Sequence, residues 1–229
     1  MTEWAPIKFL ITKLMLPFLT FSYEFIFPNY GISIILLTLL IKVLFIPLMN
    51  KQYLAMKGMQ DVQPELQRIR EEYKDNPEQL QKELMQLYKV HGINPLQGCL
   101  PMLIQIPFFI AIHATIVSPL FKAEILKPGI NPGLFSFWLP NLSLPDAYFV
   151  LPVVVALLTY WTQKMVIIDP QQQKLIWLSP LLILFFGIKL PSGVLLYWAI
   201  STLLSGVQQI WIMKKEPEVR VEIITPRKK

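Results

Sequence analysis

Charge is what this sequence has least of. Asp, Glu, Lys and Arg make up 16% of its 229 residues, against roughly 25% in soluble globular domains, while 54% are hydrophobic. That balance excludes a disordered chain and argues against a soluble domain. One cysteine, Cys99, cannot close an internal disulfide, and His91 and His113 are too few for a metal-ligand cluster. Neither metal nor cofactor is expected. The sequence also has no G-x-x-x-x-G-K-[ST], no H-E-x-x-H, no pair of aspartates within an apolar run, and no G-x-S-x-G with a histidine to activate it. Enzymatic catalysis is therefore not expected. The net charge of +6 would suggest nucleic acid only as a basic face on a folded domain, and here the charges alternate with long uncharged runs.

Those runs are what the chain does have. A bilayer core about 30 Å thick needs about 20 mostly apolar helical residues. Five windows approach that: Ile32 to Met49, Leu100 to Leu120, Ala147 to Ile168, Leu175 to Leu190 and Gly193 to Met213. The fourth contains Pro180 and reaches only about 24 Å. Fifteen of the 21 Lys and Arg lie between the first and second windows, around the turn from the third to the fourth (Lys164 and Lys174), or after the fifth. Five (Lys8, Lys13, Lys122, Lys127, Lys189) fall on the other side, and Lys42 lies within a window. Retention of basic loops in the cytoplasm then puts the N-terminus outside and the C-terminus inside. Ile7 to Phe27 is apolar but interrupted by Lys8, Lys13, Pro17 and Glu24. An amphipathic helix in the outer interface is preferred over a sixth span, which would put the N-terminus inside with no basic residue before Lys8. The stretch lacks the charged start and small-residue cleavage site of a secretory signal.

The fold class read from this is an all-α polytopic membrane protein. Five transmembrane helices surround a hydrophilic groove, with a cytoplasmic helical hairpin and an N-terminal interfacial amphipathic helix. The divisions are 1–28 (interfacial segment), 29–50 (first span), 51–94 (hairpin), 95–213 (spans two to five) and 214–229 (basic cytoplasmic tail). In the hairpin, Leu66, Ile69 and Tyr73 mark one stripe and Leu80, Leu84, Leu87 and Tyr88 another, with Asp75-Asn76-Pro77-Glu78 encoding the stop and restart. Its seven basic and seven acidic residues cancel, which speaks against nucleic acid. Whether the hairpin only connects two spans or docks a partner protein stays open.

The informative residues are those that lipid should reject. Lys42 lies near mid-depth of the first span, where a charge costs about 2.5 to 3.5 kcal/mol unless it faces water or a partner. No span offers it an Asp or Glu. Thr38 lies one turn away. In the fifth span Tyr197, Ser201, Ser205 and Gln208 follow i, i+4, i+8, i+11 as a polar stripe, Thr159 and Gln163 share a face of the third, and Gln105 adds an amide from the second. Singly, each reads as an interhelical hydrogen bond, and His113 as a structural residue. Taken with an unpaired lysine, they suggest a hydrophilic concavity around Lys42 open to the cytoplasm. A small anion transporter or channel using Lys42 as its binding charge is the alternative.

Several motifs carry a resemblance. They are Ile93-Asn94-Pro95-Leu96-Gln97-Gly98-Cys99-Leu100-Pro101 running into Gln105-Ile106-Pro107, then Asp169-Pro170-Gln171-Gln172-Gln173-Lys174, then Pro191-Ser192-Gly193-Val194-Leu195-Leu196-Tyr197-Trp198, with the hairpin from Gln63-Pro64 to Leu87-Tyr88-Lys89. From about Tyr30 to Met213 the chain resembles the YidC membrane protein insertases, which share a five-span core with mitochondrial and chloroplast relatives. The resemblance implies a positively charged groove, closed to the outside, that receives nascent membrane proteins in the bacterial inner membrane without ATP. It implies a groove of Lys42, Thr38, Gln105, Thr159, Gln163, Tyr197, Trp198, Ser201, Ser205 and Gln208. Ribosome, targeting factors or the Sec translocon would be partners at the hairpin, and ribosomal RNA or anionic lipid at the tail. Two departures stand out. Lys42 replaces the family's groove arginine, exchanging a guanidinium that stays charged almost anywhere for an ammonium that can lose its proton. Gln97 breaks the double glycine after Asn-Pro-Leu. Compared with many bacterial members the 229 residues hold no N-terminal anchor or large external domain, as expected of a compact member or of a trimmed piece.

Overall fold

The structure, a computed structural model, describes residues 8–92, 100–131, 133–135, 137–165 and 176–215. The motif at 93–99, the Asp169–Lys174 motif and the tail from 216 lie outside the described residues. Among the described residues the regular elements are all helices, and each of the five apolar windows is helical in part.

After a π-helical turn at Leu10–Met15 come α1 (Leu16–Phe25), α2 (Tyr30–Asp61), α3 (Gln63–Glu72), α4 (Pro77–Val90), α5 (Leu100–Val117), α6 (Pro119–Ile125), α7 (Val150–Lys164), α8 (Leu178–Gly187) and α9 (Ser192–Lys215). Helix α9 is the hub, packing on α2, α7 and α5, while α8 lies against α7. The core between them is aliphatic, with Ile34, Leu37, Ile112, Ile116, Val155, Val194 and Leu195 fully buried.

Helix α2 starts where Asn29 accepts a hydrogen bond from the Ile32 amide at 3.0 Å, an ordinary N-cap. It then runs unbroken to Asp61. The sequence division between span and hairpin at residue 50 falls inside this helix. The physical reason is that Met49, Tyr53 and Met56 keep burying one face, against Ile212 of α9, so nothing stops the helix there. The opposite face exposes Leu39, Leu40, Val43 and Leu44.

Helices α2 and α9 are each long and apolar enough to cross a bilayer, and α5 with α6 qualifies as a pair bent by 56°. Ser118 makes the bend, taking an extended conformation and capping α6 by accepting from the Phe121 amide at 3.1 Å, with Pro119 opening the new helix. Helix α7 is about 22 Å long and α8 about 15 Å, shorter than their apolar windows. In the hairpin, α4 starts from Asn76, which accepts from the Gln79 amide at 3.2 Å, and Leu66 and Leu87 are its buried residues.

The N-terminal helix docks on the bundle. Ile11, Met15, Leu19 and Ser22 form its buried face, against α2 and α5. Tyr23 stacks on Tyr30 with ring centroids 4.5 Å apart, while Phe21 and Phe25 stay exposed. The same end is capped by the connection from α6 to α7. Asp146, 2% exposed, accepts from Trp138 Nε1 at 3.0 Å and from the amides of Tyr148 and Leu151 at 3.1 and 2.7 Å. That connection also accepts from the start of α9, Leu144 O from the Ser192 amide and Leu142 O from the Gly193 amide. Gly193 is required there: a Cβ would fall 2.9 Å from Ile116 and 3.1 Å from the Leu142 carbonyl.

Candidate functional site

The polar stripe of α9 meets α2 and α5 at Lys42. Its ammonium donates to Ser205 Oγ at 2.6 Å and, at the long limit, to Gln105 Oε1 at 3.5 Å. Gln105 Nε2 donates in turn to the hydroxyl of Tyr197. Ser201 lies one turn along the stripe, 3% exposed, and Tyr197 is 1% exposed. Three helices thus close on one cation through neutral oxygens. An ammonium has three N–H donors, and two are met here. A charge held only by neutral partners keeps its full attraction for an incoming carboxylate or carbonyl, since neither serine nor glutamine neutralises it.

The other sequence-selected residues are placed differently. Thr38 is fully buried and its hydroxyl donates to Ile34 O of its own helix at 2.7 Å, so it packs against the core and lines no opening. Gln208 is spent on α2, donating to Asn50 Oδ1 at 2.6 Å and to Ile46 O at 3.4 Å. Trp198 is half-buried, edge-on to Phe109 of α5 with centroids 5.1 Å apart. On α7, Thr159 Oγ1 and Gln163 Oε1 are buried without a hydrogen-bond partner. Their helix approaches α9 closely at Gly206, where any Cβ would strike the ring of Trp161. Two polar residues were missed. Tyr53 donates its hydroxyl to Ser205 O at 3.2 Å, and Asn50 receives Gln208. The continuing i, i+4, i+7 series Met49, Tyr53, Met56 is the signal that could have found Tyr53, whereas Asn50 lies off that series and has no such signal.

An all-helical membrane protein whose hub helix turns a polar stripe onto a half-buried lysine is the class that these observations define. The chain belongs to the family described as 60Kd inner membrane protein, whose model matches residues 21–219. Among curated relatives, the membrane protein insertase YidC of Geobacter metallireducens is 37% identical over 207 residues, covering 90% of this chain and 37% of the relative. That of Helicobacter pylori is 39% identical, covering 86% and 35%, and that of Campylobacter jejuni 36%, covering 90% and 38%. The chain therefore spans little more than a third of the length of these relatives. A crystal structure described as an active YidC insertase with the first transmembrane domain resolved matches at a TM-score of 0.68 and 27% identity, covering 86% of this chain and 45% of that one.

Proposed function

We propose that this chain inserts membrane polypeptides, receiving a polar segment at Lys42 and releasing the adjoining apolar helix into the bilayer. The observation that carries the reading is the Lys42 ammonium, held between α2, α5 and α9 by two neutral partners among the described residues, Ser205 and Gln105. The names of the relatives, all membrane protein insertases, support the same role.

The proposed sequence of events follows from charge and area. A hydrophilic tail, acidic in the favourable case, enters a groove from the cytoplasmic side and exchanges its water for Lys42, with Gln105, Tyr197, Ser201 and Ser205 as wall, and Thr159 and Gln163 offering their unpartnered oxygens from α7. The substrate's apolar helix lies along the exposed faces of α2, α5 and α8, where Val43, Leu44, Ile106, Leu181 and Phe185 point outward. Transfer of that helix to lipid, at roughly 25 cal/mol per Å² of apolar surface, drives the step, so no nucleotide is consumed. The short α8 would thin the membrane at that edge. In this reading the five helical segments all span, the N-terminus is outside, and the α3–α4 hairpin meets ribosome, targeting factor or translocon.

The test is reconstitution in liposomes with a short single-span substrate and protease protection as readout. Lys42→Arg is expected to insert as well as the parent, and Lys42→Glu to lose most of the protected fragment. Equal insertion by both would overturn the reading. Flux of small anions without insertion would replace it with an anion carrier.

A further inference from the structure

Helix α2 carries a proline, Pro47, between Lys42 and the cytoplasmic extension that leads to the hairpin. Proline has no N–H, so the rung to the carbonyl of residue 43 is missing, and the helix bends most easily there. Nothing apolar holds that point from outside, since Ile46, Pro47 and Leu48 are all exposed. On the inner side Phe45 and Met49 share an apolar cluster with Ile212, and polar contacts cross the same point. Lys42 from one side and Tyr53 from the other converge on a single residue of α9, Lys42 on Ser205 Oγ and Tyr53 on Ser205 O. Gln208 sits three residues beyond Ser205 on the same face and donates to Ile46 O, before the proline, and to Asn50 Oδ1, after it.

We propose that Gln208 and Asn50 are positioning residues that brace α2 across Pro47 and so keep Lys42 in register with Ser205 and Gln105. The inference rests on Lys42 being the charge that binds the polypeptide, and concerns how that charge is held. Any opening at the proline must stretch the two Gln208 contacts, because they straddle it. Both residues are neutral, so the brace adds no charge that would compete with Lys42 for an incoming acidic or carbonyl group. It also ties the hairpin to the site: α2 continues without a break to Asp61, where Lys57 donates to Met213 O at 3.2 Å and Gln60 to Met165 O at 2.8 Å. A pull on the hairpin reaches Lys42 along one helix with one weak rung, and Gln208 spans that rung.

The experiment uses the full chain in liposomes, in a Cys99→Ser background, with nitroxides on Leu40→Cys and Leu54→Cys. These two exposed positions flank Pro47. The distance between labels is read by double electron–electron resonance, and insertion of a single-span substrate is read in parallel. Gln208→Leu and Asn50→Leu are each expected to broaden the distance distribution and lower insertion about three- to tenfold, the scale of one lost hydrogen bond. Asn50→Asp keeps the acceptor and is expected to stay narrow. Adding Pro47→Ala restores the missing rung, so both the distribution and insertion should recover in Pro47→Ala/Gln208→Leu. An unchanged distribution in both Leu variants overturns the brace. So does a loss of insertion that persists with Pro47→Ala, which would make Gln208 a direct contact of the polypeptide. The distances judge the brace whatever Lys42→Glu does to insertion, so failure of the binding reading remains separately visible.

Discussion

At the scale of single residues, the chemistry turns on donors and acceptors that have few alternatives. The Gln105 amide accepts from Lys42 through its oxygen and donates to Tyr197 through its nitrogen, which fixes its orientation. Tyr197→Phe removes that acceptor and leaves a desolvated N–H, at a cost of about 1 to 3 kcal/mol, whereas Tyr197→Phe/Gln105→Leu removes both partners together. The single variant is expected to lower the thermal unfolding midpoint in detergent, and the double variant to regain part of the loss. Additive losses would show that the pair does not interact. How far this centre was legible follows from the same residues. A period of four brings Tyr197, Ser201 and Ser205 to one face of a helix, and an unpaired Lys42 in an apolar run demands oxygen partners, so the cluster could be anticipated from sequence. Which oxygen each side chain meets depends on the register between α2 and α9, and no periodicity encodes that. Thr38 and Gln208 share the right faces and yet bond elsewhere, Thr38 to its own backbone and Gln208 to Asn50.

At the scale of elements, two helical glycines have opposite consequences, one at a close approach of helices and one in open space. Gly206 lets α9 lie on α7, where an added Cβ would strike the Trp161 ring and come within 2.9 Å of Thr162 Cγ2. Gly206→Ala is expected to destabilise by about 1 to 3 kcal/mol, the range for overpacking. Gly58, in the extension of α2, has nothing within 4 Å of its missing Cβ. Gly58→Ala is expected to stabilise by about 0.5 to 1 kcal/mol through helix propensity alone. Unfolding midpoints of the two variants, measured side by side, check the contrast. The apolar windows announced the helices, but their ends were harder to read. The hairpin's turn was explicit in Asn76-Pro77, while the end of the first long helix was not, because charge content changes at Lys51 and helix-forming capacity does not. Apolarity ends where lipid would end, and a helix continues as long as one face finds something to pack on, here Ile212 of α9.

At the scale of the whole molecule, the two ends of the bundle are built by different means. The end holding Tyr30 is sealed by side chains and loop: the N-terminal helix lies across it, and the 126–149 connection accepts from Ser192 and Gly193 at the start of α9. Sequence gave little warning of this cap, since the residues between Leu126 and Phe149 show no helical or strand period, and Trp138 and Asp146 meet across a spacing with no pattern. At the other end, among the described residues, long polar side chains from α2, Lys57 and Gln60, reach the final carbonyls of α9 and α7, beside the apolar contact of Tyr53 and Met56 with Ile212. In the proposed orientation this cap would lie on the outer side, with Asp146 as its weak point. Asp146→Ala would leave Trp138 Nε1 and the amides of Tyr148 and Leu151 without their acceptor, a loss of about 2 to 4 kcal/mol concentrated at the start of α7. A cysteine at Ser192, 1% exposed beneath the cap, reports on it in a Cys99→Ser background. In vesicles carrying the chain in the proposed orientation, a membrane-impermeant maleimide added outside should leave Ser192→Cys unlabelled and label it once Asp146→Ala is added. Exposed Met85→Cys of the hairpin should react only when the reagent is inside. Labelling of Ser192→Cys at the same rate with and without the Asp146 carboxylate would mean that this carboxylate does not hold the seal.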